Sequence, residues 1–186
     1  MRVRPNWFVG FEVDLRAHLA KIPDPPPGIR RFHADDLHAT IAFLGACDES
    51  TAIGAFDALP EELGPATTVT LGDVVPMGRR DAYSALAALV GDGREPLERR
   101  MTTWRDGMLA AASLPCETRP MKAHVTLARP TRRATEGERR AGLAWASALN
   151  VHSAHIGLRR VRLFTWSDDR AERLFRVVRE RVLSPG

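Results

Sequence analysis

Apolar and polar positions along the 186 residues alternate in two distinct rhythms. Trp7 to Val13 is a run of aromatic and β-branched residues and reads as a strand. Asp14 then opens a short helix carrying Leu15, Leu19 and Ile22, ended by Pro23, Pro25, Pro26 and Pro27. His38 to Leu44 is strand-like and stops at Gly45. Ser50 caps a helix bearing Ile53, Phe56, Leu59 and Leu63, which Pro60 kinks or shortens. Thr67 to Val75 and Ala82 to Leu89 read as strands joined by a turn at Met77-Gly78-Arg79-Arg80. The helical spacing of Leu97, Met101, Trp104, Met108 and Ala111 marks a core-facing stripe, not a binding surface. Lys122 to Ala128 is a further strand, stopped by Pro130, and Thr135 with Glu138 makes a capping box that opens a helix to Leu149. A hairpin closes the chain, Arg160–Trp166 and Arg173–Leu183 around Ser167-Asp168-Asp169-Arg170. Helices and strands mix without strict βαβ order, which predicts an α+β fold with mainly antiparallel sheet.

Length and composition change this picture little, but charge does. Hydrophobic content of 44% fits one globular domain over residues 1–186, and two cysteines, Cys47 and Cys116, make neither a disulfide framework nor a metal cluster. Glu12 and Asp14 interrupt the first apolar run, so a signal peptide, a membrane span and membrane association are not expected, and a reducing cytoplasm is. Residues 1–118 hold 12 Lys and Arg against 17 Asp and Glu, whereas residues 119–186 hold 15 against 6. That asymmetry favours a polyanionic partner, while the preference for Arg (25 of 27 cations) equally suits a solvated surface.

The chemistry lies in a repeat. His38-Ala39-Thr40-Ile41-Ala42 and His124-Val125-Thr126-Leu127-Ala128 are both H-x-T-aliphatic-Ala, 86 residues apart. Chance supplies about 0.4 H-x-T triplets in a chain with 6 His and 12 Thr, and the doubled longer pattern far less. With period-two alternation, His38 and Thr40 share one face and Ala39, Ile41 and Phe43 the other; His124 and Thr126 repeat the arrangement. A histidine beside a hydroxyl, presented twice, suits an oxyanion held between a general acid and a general base. Strict alternation sends Arg129 to the far face unless Pro130 ends the strand and frees it to turn inward. His152 and His155 lack an acidic or cysteine complement and read as surface residues. Arg79, Arg80, Arg132 and Arg133 could guide a nucleic acid strand or be solvated, and Phe8, Phe11 and Tyr83 read as core more than as base-stacking residues.

These residues resemble the two-histidine (2H) phosphoesterases, and within them the bacterial 2′–5′ RNA ligase, or RNA 2′,3′-cyclic phosphodiesterase, branch. The run from Leu37-His38 to Phe43-Leu44-Gly45 and the run His124 to Arg129 carry the resemblance, with Trp7-Phe8-Val9-Gly10 and the terminal hairpin in matching places. Ala39 is smaller than the aliphatic usual there. The resemblance implies a bilobal fold, two pseudo-symmetric lobes of mainly antiparallel sheet with helices outside and a central cleft. The first H-x-T motif (38–41) and the second (124–127) would line that cleft. It further implies His38 as proton donor, His124 as proton acceptor, and Thr40, Thr126 and Arg129 as phosphate-binding residues, with no metal or cofactor. The implied reaction is hydrolysis of RNA 2′,3′-cyclic phosphates to 2′-phosphates, with reversible 2′–5′ ligation. The alternatives are a 2H reaction on 2′–5′ oligonucleotides or small cyclic nucleotides such as ADP-ribose 1″,2″-cyclic phosphate, or an RNA-end-binding module without turnover. The expected partners are RNA ends or small cyclic nucleotides bound by a monomer, with no obligate protein partner.

Overall fold

The computed structural model describes residues 4–152 and 154–186. Among the described residues, nine strands form two sheets whose ladders are all antiparallel, accompanied by four α-helices and one 3-10 turn. The first sheet contains β1 (Asn6–Glu12), β3 (His38–Ala46), β8 (Arg160–Trp166) and β9 (Phe175–Val182), in the order β3-β1-β8-β9. The second contains β2 (Ile29–Arg31), β4 (Thr67–Met77), β5 (Ala85–Val90), β6 (His124–Pro130) and β7 (His155–Leu158), in the order β2-β6-β5-β4-β7. The predicted α+β class and antiparallel sheets are therefore present. The short strands β2 and β7 carry too few residues to show a period in the sequence.

Helices α1 (Arg16–Leu19), α2 (Glu49–Asp57), α3 (Arg94–Ala111) and α4 (Glu136–Ala148) complete the fold. The α3 stripe is buried as its spacing predicted, through Leu97, Met101, Trp104 and Met108, although Ala112 rather than Ala111 completes it. Trp104 lies 5.6 Å from the Phe11 ring, which seats α3 under the first sheet. On the second sheet, the Tyr83 hydroxyl donates to the Arg139 carbonyl at 2.9 Å, and the Arg139 guanidinium donates to the Tyr83 carbonyl at 2.8 Å. Tyr83 is thus a bolt between α4 and the sheet. Both lobes share one continuous apolar core.

Two helix starts differ from expectation. Asp48, not Ser50, caps α2: its Oδ1 accepts from the Thr51 amide at 3.0 Å and from the Ser50 and Thr51 hydroxyls. An ionised carboxylate is the stronger acceptor for the positive end of a helix. Asp14 sits one residue before the α1 cap, Leu15, and accepts from the Arg16 amide instead. The Thr135–Glu138 capping box forms at α4 as predicted, with Glu138 accepting from the Thr135 amide at 2.7 Å. Such a box contributes about 1 kcal/mol to the helix.

Candidate active site

The site grows from β3 and β6, which adjoin between the two sheets. In the ladder of β3 with β1, Gly10 faces Thr40 but Val9 faces Ala42, so Ile41 is an extra, unpaired residue. In the ladder of β6 with β5, Ala87 faces Thr126 but Leu86 faces Ala128, so Leu127 is extra. Both copies of H-x-T-aliphatic-Ala thus bulge at the same residue. A bulge inserts one residue and reverses the facing of everything beyond it. The inserted aliphatic and the following Ala both turn into the core, at 1–2% exposure for Ile41 and Ala42 and 0–1% for Leu127 and Ala128.

The bulges correct two expectations. Strand β6 runs through Arg129 to Pro130, paired with β2, so Pro130 does not stop it short of Arg129. The bulge at Leu127 is what returns Arg129 to the face of His124 and Thr126. In the first copy the bulge at Ile41 moves Phe43 off the core face assigned to it by strict alternation. Phe43 faces Phe8 across the ladder, and opposed residues share a face; the Phe8 ring lies 4.5 Å from that of His38. The sequence signal was present but weak: Ile41-Ala42 and Leu127-Ala128 are consecutive apolar pairs that break the alternation, and Ala is too small to reveal its side.

His38 is 8% exposed and set among aromatic rings, with Phe8 at 4.5 Å and Phe164 and Phe175 each at 5.4 Å. Phe8 stacks on Phe164 at 4.9 Å, and neither ring is open to a base. Gly10 lies between Phe8 and Glu12 on β1 because a side chain cannot fit: a Cβ there would stand 2.8 Å from the Ala39 carbonyl oxygen. His124 is half-buried. Both rings are oriented alike. His38 Nδ1 lies 2.7 Å from the carbonyl of Asp36, and His124 Nδ1 lies 2.6 Å from the carbonyl of Lys122. A carbonyl oxygen only accepts, so each Nδ1 carries the hydrogen and each Nε2 is left for chemistry.

Burial governs the charge of the His38 ring. Burial pushes His38 down to about 4, and the charges of Arg129 and His124 push in the same direction against the bond to Asp36. The buried imidazole is therefore neutral at pH 7. Burial also lowers the Arg129 guanidinium, which lies 5.3 Å over the Phe32 ring. Thr126 is buried and Thr40 half-buried, and neither hydroxyl is bonded to another described residue. The fold thus brings together His38, Thr40, His124, Thr126 and Arg129.

Asp36 is a residue that sequence reasoning missed. It is 1% exposed, and its carboxylate accepts from the Leu174 amide at 2.8 Å and the Phe175 amide at 3.1 Å. One residue therefore ties the start of β9 to the backbone that orients His38. Its acidic neighbour Asp35 pairs with Arg16, which hides Asp36 in an ordinary-looking acidic stretch.

The remaining candidates lie elsewhere. His152 pairs with Asp73 at 3.2 Å, and His155 is on β7. Arg79 is engaged by Asp81. Cys47 and Cys116 are both free thiols. Among the described residues no helix is long and apolar enough to cross a membrane.

No protein-family model matches the sequence, and no curated protein matches it. Solved structures do. The Escherichia coli LigT complex with ATP superposes with a TM-score of 0.68 at 18% identity, covering 97% of this chain and 99% of that one. The LigT complex with 3′-AMP gives 0.68 at 20% identity, over 97% and 99%. TT0787 of Thermus thermophilus gives 0.69 at 17% identity, over 97% and 98%. The chain has the LigT fold. At this identity the likeness concerns architecture, and the two-lobed LigT-like arrangement extends over nearly all of both chains.

Proposed function

We propose that this chain is a metal-independent phosphodiesterase that opens 2′,3′-cyclic phosphate ends of RNA to 2′-phosphates, with reversible 2′–5′ ligation as a related reaction. The observation that carries the reading is the pair of identically bulged strands, each offering an Nδ1-anchored histidine with a hydroxyl beside it. Its fold likeness to LigT, a protein with structures in complex with ATP and 3′-AMP, agrees with a nucleotide substrate.

In this mechanism His124 Nε2 takes a proton from water as the water oxygen attacks phosphorus. The bond from phosphorus to the 3′-oxygen breaks, and His38 Nε2 gives that oxygen its proton. Thr40 and Thr126 donate to non-bridging oxygens, and Arg129 holds the charge of the five-coordinate phosphorus. His38 is neutral in the free protein, so it becomes an acid only beside the substrate. The phosphodiester anion offsets the Arg129 charge and stabilises the imidazolium, and proton uptake accompanies binding. Ligation is the same step with a 5′-hydroxyl in place of water, and in its reversal the two histidines exchange their acid and base roles.

The test is incubation of the protein with a 2′,3′-cyclic-phosphate RNA in excess EDTA, with identification of the product. A 2′-phosphate is expected. A 3′-phosphate would reverse the assigned substrate orientation, and activity lost to EDTA and restored by Mn²⁺ or Zn²⁺ would overturn the metal-independent mechanism.

A further inference from the structure

The second copy of the motif ends against a like charge. Arg129 on β6 stands opposite Arg30 on β2 in their antiparallel ladder, so the two side chains leave the same face of the sheet, that of His124 and Thr126. Like charges directly opposed in a ladder destabilise it. No carboxylate offsets them: among the described residues neither guanidinium forms an ion pair. Asp24 and Glu172 line the groove that Arg30 borders, yet Asp24 is taken by Arg31 at 3.3 Å and Glu172 pairs with neither.

Each guanidinium is held in place without being neutralised. Arg129 lies 5.3 Å over the Phe32 ring. Arg30 Nη2 donates to the Arg170 carbonyl at 2.9 Å and to the Ala171 carbonyl at 3.2 Å, in the turn between β8 and β9. Carbonyls fix a guanidinium and leave its charge intact. Both bonds leave from Nη2, so Nε and Nη1 keep their hydrogens for another acceptor. Arg30 is exposed, and the groove beside it, of about 340 Å³, runs past Phe32, His33 and Leu174. A chain that reaches Arg129 therefore has room to continue.

A doubled positive charge on rigid backbone selects a doubled negative one. Opposed residues of an antiparallel ladder are about 4.5–5.5 Å apart at Cα, and their long side chains spread further. That span suits two phosphates carried by a single ribose. We infer that Arg30 binds the phosphate on the 5′-oxygen of the terminal nucleotide while Arg129 holds the cyclic phosphate. The inference rests on the proposed reaction for the placement of the cyclic phosphate, but it concerns the second anion alone. It directs the enzyme to the ends of nucleotide chains, where the terminal residue carries that 5′ phosphodiester, ahead of isolated nucleoside cyclic phosphates. A backbone contact of this kind is indifferent to base identity.

The discriminating experiment compares adenosine 2′,3′-cyclic phosphate with the same molecule phosphorylated on its 5′-oxygen. Wild type should prefer the second, as a ratio of kcat/KM values, by about 3- to 30-fold, between the worth of an exposed ion pair and that of a charge-assisted hydrogen bond. The preference should shrink as salt rises. Arg30→Gln should bring the ratio close to one, and Arg30→Lys, which keeps the charge but not the planar fork, should retain part of it. A merely structural Arg30 would slow both substrates alike and leave the ratio in place. That result, or a wild type without the preference, would overturn the inference and leave the reaction standing. A second readout needs no turnover: adenosine 2′,5′-bisphosphate should bind more tightly than 2′-AMP to wild type, and no more tightly to Arg30→Gln, in titration calorimetry. Should the wild type hydrolyse neither substrate, the proposed reaction fails, and this pair of affinities alone decides the second phosphate site. Equal affinities in the wild type would sink it.

Discussion

The two motif strands are copies in backbone and opposites in setting. Both β3 and β6 bulge one residue after the Thr, and both anchor a histidine Nδ1 on the carbonyl two residues upstream. Yet His38 is packed among three phenylalanines while His124 is half-exposed, and the residue past the bulge is Phe43 in one strand and Arg129 in the other. The repetition preserves geometry, which any in-line displacement between an acid and a base requires. The divergence lies in the surroundings: a buried ring on one side and an accessible one on the other, an exposed phenylalanine past one bulge and a guanidinium past the other. An internal sequence repeat therefore says where groups point, and the residues around it say what each is for.

The most severe way to break the comparison is to remove either histidine. His38→Ala and His124→Ala should each lower kcat by about 10²- to 10⁴-fold, the usual worth of a positioned acid or base. Because the proposed mechanism puts both in one proton circuit, the double variant should fall far short of the product of the single losses. Near wild-type turnover in either single variant would end the two-histidine mechanism.

Asp36 sharpens the comparison, because its carboxylate clasp on β9 belongs to the first copy. Asp36→Ala strands two part-buried amides, those of Leu174 and Phe175, at up to about 1–3 kcal/mol each if wholly unsatisfied. We expect a stability loss of about 2–4 kcal/mol in urea unfolding, with Asp36→Asn recovering part of it through its remaining carbonyl oxygen. A loss under about 1 kcal/mol, the net worth of one ordinary hydrogen bond, would show that the clasp is dispensable.

A pH measurement tests the buried setting of the first ring. His38 is held near 4 when folded and returns to about 6.5 when unfolded. Between those values the unfolded chain binds a proton that the native one refuses, so stability rises with pH across the window and is lost as pH falls through it. The contribution is about 3 kcal/mol, complete above pH 6.5 and gone below pH 4. Unfolding of wild type and His38→Gln, compared at pH 7 and pH 4, should therefore diverge by that amount, since other groups cancel in the difference. Parallel stability curves would mean that His38 titrates normally.

Much of this was readable in advance, and the failures share one cause. The helices over 94–111 and 136–148, the terminal hairpin and the histidine-bearing strands all follow from periodicity and capping, which are local properties. The bulges are not local. Whether Ile41 pairs or is extruded depends on which residue of β1 lies opposite Ala42, a matter of register between segments about thirty residues apart. Reading β3 and β6 as ideal strands put Phe43 in the core and left Arg129 dependent on Pro130. Asp36 was illegible for a similar reason, because its partners, Leu174 and Phe175, lie about 140 residues away and offer only backbone amides.

The two threonines provide the finest test of the comparison, because they differ only in surroundings. Each hydroxyl is unengaged within the described residues and faces the same side as its histidine, so each is available to a phosphate oxygen. A neutral hydrogen bond contributes about 0.5–1.5 kcal/mol net, and replacing Thr by isosteric Val removes it without opening a cavity. Either variant should then raise KM by about 2- to 10-fold with a smaller change in kcat, since the non-bridging oxygens are held before and during the reaction. Burial sets the order. Thr126 is 8% exposed and Thr40 half-buried, so water replaces the lost bond less readily at Thr126, and Thr126→Val should be the costlier change. Equal effects would mean that substrate excludes water from both sides alike. A larger effect at Thr40 would place the phosphate nearer β3 than β6, and with it nearer Phe43.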